Sequence, residues 1–558
     1  MNILGLNGWM DRSHDASAAL LLEGKIVAAA EEERFVRVKK AYDRLPINAT
    51  SFCLEEGNLT FSDIDYVAFG WDWKRLYSLR HIPYQWDEET LLESMFPRKY
   101  FKRGKNPRVK FIDHHLAHAA STFRCSGFDT AAILVLDGQG EDCSISLWDG
   151  QGNHIREISR IGIPNSLGYF YSAITRYLGM SNGNEGKLMG LASYGSPDSA
   201  IVEELRKIRP RLTEEDFNGT PDEQDQVEQY WMDALIKRFG PRNEPVRYFD
   251  KDVGAVRKHL ELTEIHKAIA ASAQCFLEEK VVQLVRDALQ MTSREYLCLA
   301  GGVALNCVAN QRIIDNTGVK RIYVQPAAND AGVALGAALE TYALLGNFMR
   351  VPLEDVGLGP GFSDEEIERE LSRCGVSYTF EREIEKVCAD LLQQDNIIGW
   401  FQGRMEFGPR ALGYRSIIAN PTSKGMIARI NNQIKNRELW RPFAPSVLRE
   451  YASDYFVTPD AFKFMIVSSD VAPGVSEKIP AVVHVDGSAR PHAVDRLINP
   501  RFYDLINNFY QLSGVPMVLN TSFNVDGEPI VCTPRDAVKT FFSTGLDSLV
   551  MGNYLVRK

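Results

Sequence analysis

The stretch Thr130-Ala131-Ala132-Ile133-Leu134-Val135-Leu136-Asp137-Gly138-Gln139-Gly140 decides how this chain is read. Its apolar run is a buried strand, and the strand ends on a carboxylate. The glycines that follow form a turn where a backbone can approach a phosphate closely. Two more strands are expected over residues 142–148 and 153–159, with a turn at Asp149-Gly150-Gln151-Gly152. The same grammar opens the chain. Strands are expected over residues 2–6, 17–22 and 26–30, with a polar glycine turn after the first and Glu23-Gly24-Lys25 between the last two. This is a weak internal duplication. Two strand-turn-strand units, each with a polar loop after its first strand, are how the actin-like ATPase fold grips phosphates from two sides. The fold class expected is therefore α/β (α+β), with a duplicated actin-like domain at the N-terminal end.

Just before that stretch lies Asp113-His114-His115-Leu116-Ala117-His118. A helix here puts His114 and His118 at i and i+4, on one face, with His115 pointing elsewhere. Such a pair either packs or ligates a metal. Beside a phosphate loop, it points to metal-assisted chemistry on a nucleotide or an acyl phosphate.

Further along, residues 296–300 read as a buried strand, and Gly301-Gly302 opens a helix over 303–315 with Asn306 near its start. Glycines there permit close approach of an adenosine or phosphate, and a helix N-terminus favours negative charge. Asp330 precedes a small-residue helix. It is either that helix's cap or a carboxylate reaching the centre of His114, His118 and Asp137. Residues 196–258 are charged, with Glu214-Glu215-Asp216 and Asp222-Glu223-Gln224-Asp225 forming an acidic stretch. A solvated helical insertion is expected there, with a surface that attracts cations as the alternative.

A domain boundary is expected over residues 346–362, around Gly357-Leu358-Gly359-Pro360-Gly361. This gives domains over 1–350 and 351–558. The second carries Arg404, Arg410, Arg415, Lys435, Arg437, Arg441 and Arg490 among glycines, prolines and aromatics. Arginine's fork suits bidentate phosphate recognition, and proline-fixed loops hold it in place. A nucleic-acid groove fits less well, because the motifs are short and unlike and no aromatic platform repeats. Asn520, Ser522 and Asn524 supply amide and hydroxyl groups near the end.

At 558 residues the chain is too long for one core. Its net charge of -10 argues against a protein that coats nucleic acid. The nine cysteines are scattered and form no CxxC pair, as expected of free buried thiols in a reducing cytoplasm. No leader pattern or bilayer-spanning run is apparent. A cytoplasmic monomer or homodimer with no nucleic-acid or membrane partner is expected.

Long motifs occur in one order: Gly5-Leu6-Asn7-Gly8-Trp9, His14-Asp15-Ala16-Ser17-Ala18-Ala19-Leu20, Ala30-Glu31-Glu32-Glu33-Arg34-Phe35, His114-His115-Leu116-Ala117-His118-Ala119, Asp137-Gly138-Gln139-Gly140-Glu141, Gly186-Lys187-Leu188-Met189-Gly190-Leu191, Gly408-Pro409-Arg410-Ala411-Leu412-Gly413 and Leu519-Asn520-Thr521-Ser522-Phe523-Asn524. In these the chain resembles, end to end, the O-carbamoyltransferases that act on nodulation factors and cephamycins. The likeness is nearest to the branch acting on aminoglycoside antibiotics.

The resemblance implies a C-terminal YrdC-like domain that makes carbamoyl-adenylate from carbamoyl phosphate and ATP, with Mg for the ATP. The N-terminal domain would then pass the carbamoyl group to a hydroxyl of a small molecule, an aminoglycoside being the first choice. By motif, His114, His118, Asp137 and Asp330 would hold Fe(II), with Mn(II) or Zn(II) as alternatives. His14 and Lys39 would contact the carbamoyl-adenylate, His14 being either a general base or a structural histidine. Gly138, Gly301, Gly302 and Asn306 would meet the nucleotide. Arg410, Lys435, Arg441 and Arg490 would clamp carbamoyl phosphate and ATP, with Asn520, Ser522 and Asn524 completing that pocket. The pattern of that aminoglycoside branch is broken at Glu185, where it has proline, and at Val525-Asp526; residues 196–258 match least. A fusion making threonylcarbamoyl-adenosine on tRNA and an actin-fold kinase are the alternative readings.

Overall fold

The computed structural model describes residues 1–9, 13–102, 104–208, 223–250, 255–457 and 462–558. The first strands are β1 (Asn2–Asn7), β2 (Ser17–Leu22), β3 (Lys25–Glu31), β4 (Tyr66–Phe69) and β5 (Arg108–Phe111). They form one sheet in the order β3-β2-β1-β4-β5. Then come β6 (Thr130–Leu136), β7 (Cys143–Gln151) and β8 (His154–Gly162). The pair β9 (Val246–Asp250) and β10 (Ala255–His259) makes a separate hairpin, and β11 (Tyr296–Ala300) and β12 (Arg321–Val324) follow. The second large sheet has the order β12-β11-β6-β7-β8. In both sheets the first strand pairs antiparallel with the second and parallel with the fourth in that sheet's chain order. The duplication read from the strand grammar is present, with one topology used twice.

Two helices lie between the sheets. Helix Ala331–Leu344 packs on β1 and β2, and helix His114–Ser126 packs on β6 and β11. Small residues let the layers close. A Cβ at Gly5 would lie 1.9 Å from the Ala334 carbonyl oxygen, and one at Gly336 would lie 1.8 Å from that of Ala117. Val333, Leu335 and Leu339 are fully buried in the same helix, each contributing about 2 kcal/mol of hydrophobic stabilisation.

Two expectations need correction. The helix expected over 303–315 begins later: a short 3-10 turn covers Gly302–Leu305, and the α-helix is Cys307–Thr317. The amide of Gly302 donates to the Asp137 carboxylate at 2.9 Å, so the double glycine shapes that carboxylate's environment and opens no α-helix. The charged insertion is also less solvated than its composition implies. In helix Glu223–Phe239, Val227, Trp231 and Leu235 are buried, and Trp231 meets Phe170 edge-on at 4.8 Å. The acidic residues Glu214, Glu215, Asp216 and Asp222 lie outside the described residues.

The C-terminal part forms an eight-stranded sheet. In spatial order its strands are Thr379–Phe380, Tyr554–Arg557, Ser548–Met551, Ile398–Phe401, Arg415–Ala419, Met517–Ser522, Ala444–Leu448 and His492–Val494. It is joined to the first sheet by a buried ion pair. Arg34 donates to Glu31 at 3.1 Å and to the Gly408 carbonyl at 2.7 Å, and the Gly408 amide donates back to Glu31 at 3.2 Å. Among the described residues no helix is long and apolar enough to cross a membrane.

Replacing Gly336 by Ala drives a methyl group into a backbone carbonyl that cannot rotate away. The expected cost is about 3 kcal/mol, read as a lower thermal midpoint, while Gly425→Ala, with open space around it and an ordinary backbone, should cost less.

Candidate metal centre and anion pocket

Helix His114–Ser126 is fixed at its first turn. The Asp113 side chain accepts from the Leu116 amide at 3.0 Å, while Arg75 and Arg160 pair with the same carboxylate at 2.6 and 2.9 Å. Glu141 accepts from the His114 amide at 3.0 Å and the Asp72 amide at 2.7 Å. Burial, with Asp113 close by, pushes the Glu141 carboxyl up to about 7. Glu141 closes the motif that begins at Asp137, but its support of the histidines was not readable there, because its partners are backbone amides of distant segments.

His114 and His118 face one another across the helix turn, both fully buried. His114 donates through Nδ1 to the Gly70 carbonyl at 2.9 Å, which turns Nε2 toward the cluster as the atom a metal would take. Trp71 stacks on the ring at 3.9 Å. His115 turns away to Ser146 at 2.7 Å. From β6, Asp137 brings Oδ2 to 3.4 Å from His114 Nε2 and 3.8 Å from His118 Nε2. Asp330 brings Oδ1 to 3.7 Å from each. Asp330 stands at the helix N-cap position but makes no side-chain cap bond. Its carboxylate is spent on the histidines.

The four ligand atoms lie within 4.8 Å of one another. Ligands held at about 2.1 Å around one ion are separated by about 3–4 Å, so these spacings fit a single metal. The Nε2 atoms of both histidines are buried with no hydrogen-bond partner, a costly state that a metal relieves. Two imidazoles and two carboxylates suit Fe(II), Mn(II) or Zn(II).

Burial opposes charge on His114, but Asp330 and Asp137 outweigh it and raise its pKa well above the ordinary value. Burial and Asp330 oppose ionisation of Asp137, yet the histidines hold it down at about 2. Burial also opposes ionisation of Asp330, yet the histidines hold its pKa well below the ordinary range.

At the rim, His14 lies 3.1 Å from Asp15 and 3.9 Å from Asp330. Burial lowers its pKa, but the two carboxylates raise it by more. Lys39, expected beside His14, has Glu33, Asp526 and Arg441 as its main charged neighbours. The next residue, Lys40, is the one near Asp15 and Asp330. Asn306 caps helix Cys307–Thr317 and exchanges hydrogen bonds with Gln274 at 3.0 and 3.1 Å. Gly138 and Gly301 lie against Ser166 and the Leu136 carbonyl, at the edge of the cluster.

The second group of candidates sits in the C-terminal part. Lys435 is nearly fully buried and donates to the Asn524 side chain at 2.8 Å and to the Ser522 hydroxyl at 3.3 Å. Burial, with Arg437 and Arg441 nearby, holds its ammonium well below the usual range. Burial and neighbouring arginines push Arg437 and Arg410 down to about 9. Arg441 pairs with Asp526 at 2.8 Å. The Nε atoms of Arg410 and Arg490 and the side-chain oxygen of Asn520 are buried without partners. Asn520 donates to the Ala411 carbonyl and to Ser446. Cations crowded so closely have the chemistry of an anion pocket. Arg404 and Arg415 play another part: their guanidiniums bind backbone carbonyls, among them Leu358 and Gln402.

A family model described as the carbamoyltransferase N-terminus matches residues 80–339, and one described as the carbamoyltransferase C-terminus matches residues 389–558. The nodulation protein NolNO of Sinorhizobium fredii is 38% identical, over 98% of this chain and 79% of that protein. The chain belongs to the carbamoyltransferase family. This carbamoyltransferase is also similar to an uncharacterised Synechocystis protein, 38% identical over 100% of this chain and 97% of that one. Nodulation protein U of Rhizobium tropici is 29% identical over 92% and 90%. Among solved structures, full-length HypF in a phosphate- and nucleotide-bound form aligns with a TM-score of 0.31 and 13% identity, over 62% of this chain and 56% of that one. Family membership makes the protein an O-carbamoyltransferase enzyme.

A raised histidine pKa stabilises the metal-free fold below about pH 6.5 and loses that effect as pH rises through the folded value. A lowered carboxylate pKa stabilises above about pH 4 and loses its effect in acid. Metal must displace the His114 proton, so its affinity rises with pH. The increase in thermal midpoint on adding Mn(II) should therefore grow from about pH 6 to about pH 8, and His118→Ala should abolish it.

Proposed function

We propose that this carbamoyltransferase is ATP-dependent and works in two steps at two sites, an actin-like metal pocket and a YrdC-like anion pocket. In the anion pocket, water cleaves carbamoyl phosphate to carbamate and phosphate. A carbamate oxygen then attacks the α-phosphorus of ATP, and pyrophosphate leaves. The product is carbamoyl-adenylate. In the other pocket the hydroxyl of a small molecule attacks the carbamoyl carbon, and AMP leaves. An amino-sugar antibiotic of the aminoglycoside type is the acceptor we favour.

The observation that carries the reading is the coexistence of two polar sites of opposite character in one chain. One is a buried cluster of two histidines and two aspartates. The other is a pocket whose arginine and lysine pKa values are driven down by burial and mutual repulsion. Polyphosphate and carbamoyl phosphate relieve that repulsion, and arginine holds such oxygens in pairs. Arg410 and Arg490 have unpartnered Nε–H groups to donate. Lys435 is already tied to Ser522 and Asn524, so it orders that strand end while adding charge.

In the metal pocket, His114, His118, Asp137 and Asp330 would hold Fe(II) or a similar ion, which when bound supplies Lewis-acid stabilisation of developing negative charge. His14, at the rim beside Asp15, is the group that takes the hydroxyl proton. The adenosine handle turns binding energy into positioning of the carbamoyl carbon.

Mass spectrometry of the protein with ATP, carbamoyl phosphate and Fe(II) checks this. Wild type and His118→Ala should both form carbamoyl-adenylate, and Arg441→Ala should not. With tobramycin added, only wild type should yield a carbamoylated product. Label from the γ-phosphate of ATP appearing on the acceptor would replace this reading with a kinase.

A further inference from the structure

The loop that carries Arg410 is tied down on both sides of that residue. It runs from the strand Ile398–Phe401 to the strand Arg415–Ala419. Gly408 and Gly413, with φ 116° and 92°, bend it at two points. At Gly408 the amide donates to Glu31 and the carbonyl accepts from Arg34. The Ala411 carbonyl accepts from the Asn520 side chain at 3.0 Å. At Gly413 the amide donates to the Ser416 hydroxyl at 3.1 Å, and the carbonyl accepts from the Trp400 indole at 2.9 Å.

Glu406 adds the densest of these ties. It is almost fully buried, and its Oε1 accepts from the amides of Leu412, Tyr414 and Arg415 at 2.8, 3.0 and 3.1 Å. Its other oxygen is buried without a hydrogen-bond partner among the described residues, so the loop amides are what this carboxylate holds. A buried carboxylate is costly, and a residue serving packing alone would be apolar. Glu406 precedes Arg410 in the chain and its three donors follow it. The carboxylate thus closes the backbone into a ring that contains Arg410.

That ring adjoins the anion pocket. Arg410 reaches the Leu305 carbonyl at 3.4 Å, a long bond, and its Nε–H is buried without a partner among the described residues. Asn520, which holds Ala411, lies on the strand Met517–Ser522, whose last residue accepts from Lys435. The loop is therefore fixed against the strand end that Lys435 orders.

We infer that Glu406 is a positioning residue of the anion pocket: its grip on three loop amides sets where the Arg410 guanidinium stands, so that Arg410 meets a phosphate-type anion already in place. This rests on the reading of that pocket as the phosphate-binding site. Order imposed in advance spares the ligand the cost of fixing a loop and a long side chain. Glu406 acts through the backbone and not on the anion, which like charge would repel.

Calorimetry of the full-length protein with pyrophosphate as probe tests this. Arg410→Ala should weaken binding at least about tenfold, the scale of one charge-assisted hydrogen bond. Glu406→Ala should weaken it by a similar factor. In the double variant the two losses should not add, leaving binding within about twofold of Arg410→Ala alone. Glu406→Asp keeps the charge but draws the oxygen back by one methylene, so it should show the same loss, and it serves in place of the alanine variant if that one does not fold. Glu406→Gln keeps a carbonyl oxygen for the amides and should restore most of the binding. The rise in thermal midpoint on adding Mn(II) reports that each variant is folded. A carboxylate that serves stability alone would leave pyrophosphate binding of the folded variants unchanged, or weaken it by the same factor with and without Arg410. Either result overturns the inference while the pocket stands. Binding that ignores Arg410→Ala sinks the reading of the pocket itself, and the role of Glu406 with it.

Discussion

The close approach of helices His114–Ser126 and Ala331–Leu344 is the contact on which the rest depends. Gly336 has no side chain, so the second helix rests on the carbonyl of Ala117. That sets the first turn of one helix against the N-terminus of the other and delivers Asp330 to His114 and His118. The third ligand-bearing element, β6, delivers Asp137 to the same place because β11 and its glycines hold it there. Charge follows from packing: groups buried together without water must neutralise one another or hold an ion. The cluster does the first, with carboxylate pKa values pulled down and His114 pulled up, and its spacing suits the second.

Much of this was legible in the residues. The apolar runs ending in polar glycine turns gave both sheets, and the i, i+4 spacing gave the histidine face. A choice the sequence left open was whether Asp330 caps a helix or serves a metal, since both demand an acid at a helix start. Only the absent cap bond separates them. Composition misled in helix Glu223–Phe239, where few apolar residues at the right spacing, Val227, Trp231 and Leu235, suffice to dock it. The double glycine misled differently, because a strand followed by Gly-Gly does not say whether an α-helix or a 3-10 turn comes next.

Within the cationic group the same lesson recurs. Arginine in a rigid, proline-rich frame can bind an anion or tie loops together. Arg415 lies over Phe401 with its centre 3.6 Å from the ring centroid and binds carbonyls. Arg410 donates only to the Leu305 carbonyl, at 3.4 Å, against 2.6 and 2.9 Å for Arg415 to the Gln402 and Pro360 carbonyls. The hold of backbone carbonyls on the guanidinium, which no motif encodes, divides structural arginines from those free to bind.

The joint of Glu31, Arg34 and Gly408 has its own consequence. Both charges are buried, and the partner that completes them is a backbone on the far side of the interface. Cut free, the N-terminal half would carry an ion pair stripped of its backbone partner, and the C-terminal half an unpaired Gly408 peptide. The two halves therefore cannot behave as interchangeable cassettes. Change in such a molecule falls to its exposed loops, while the seam between halves stays fixed.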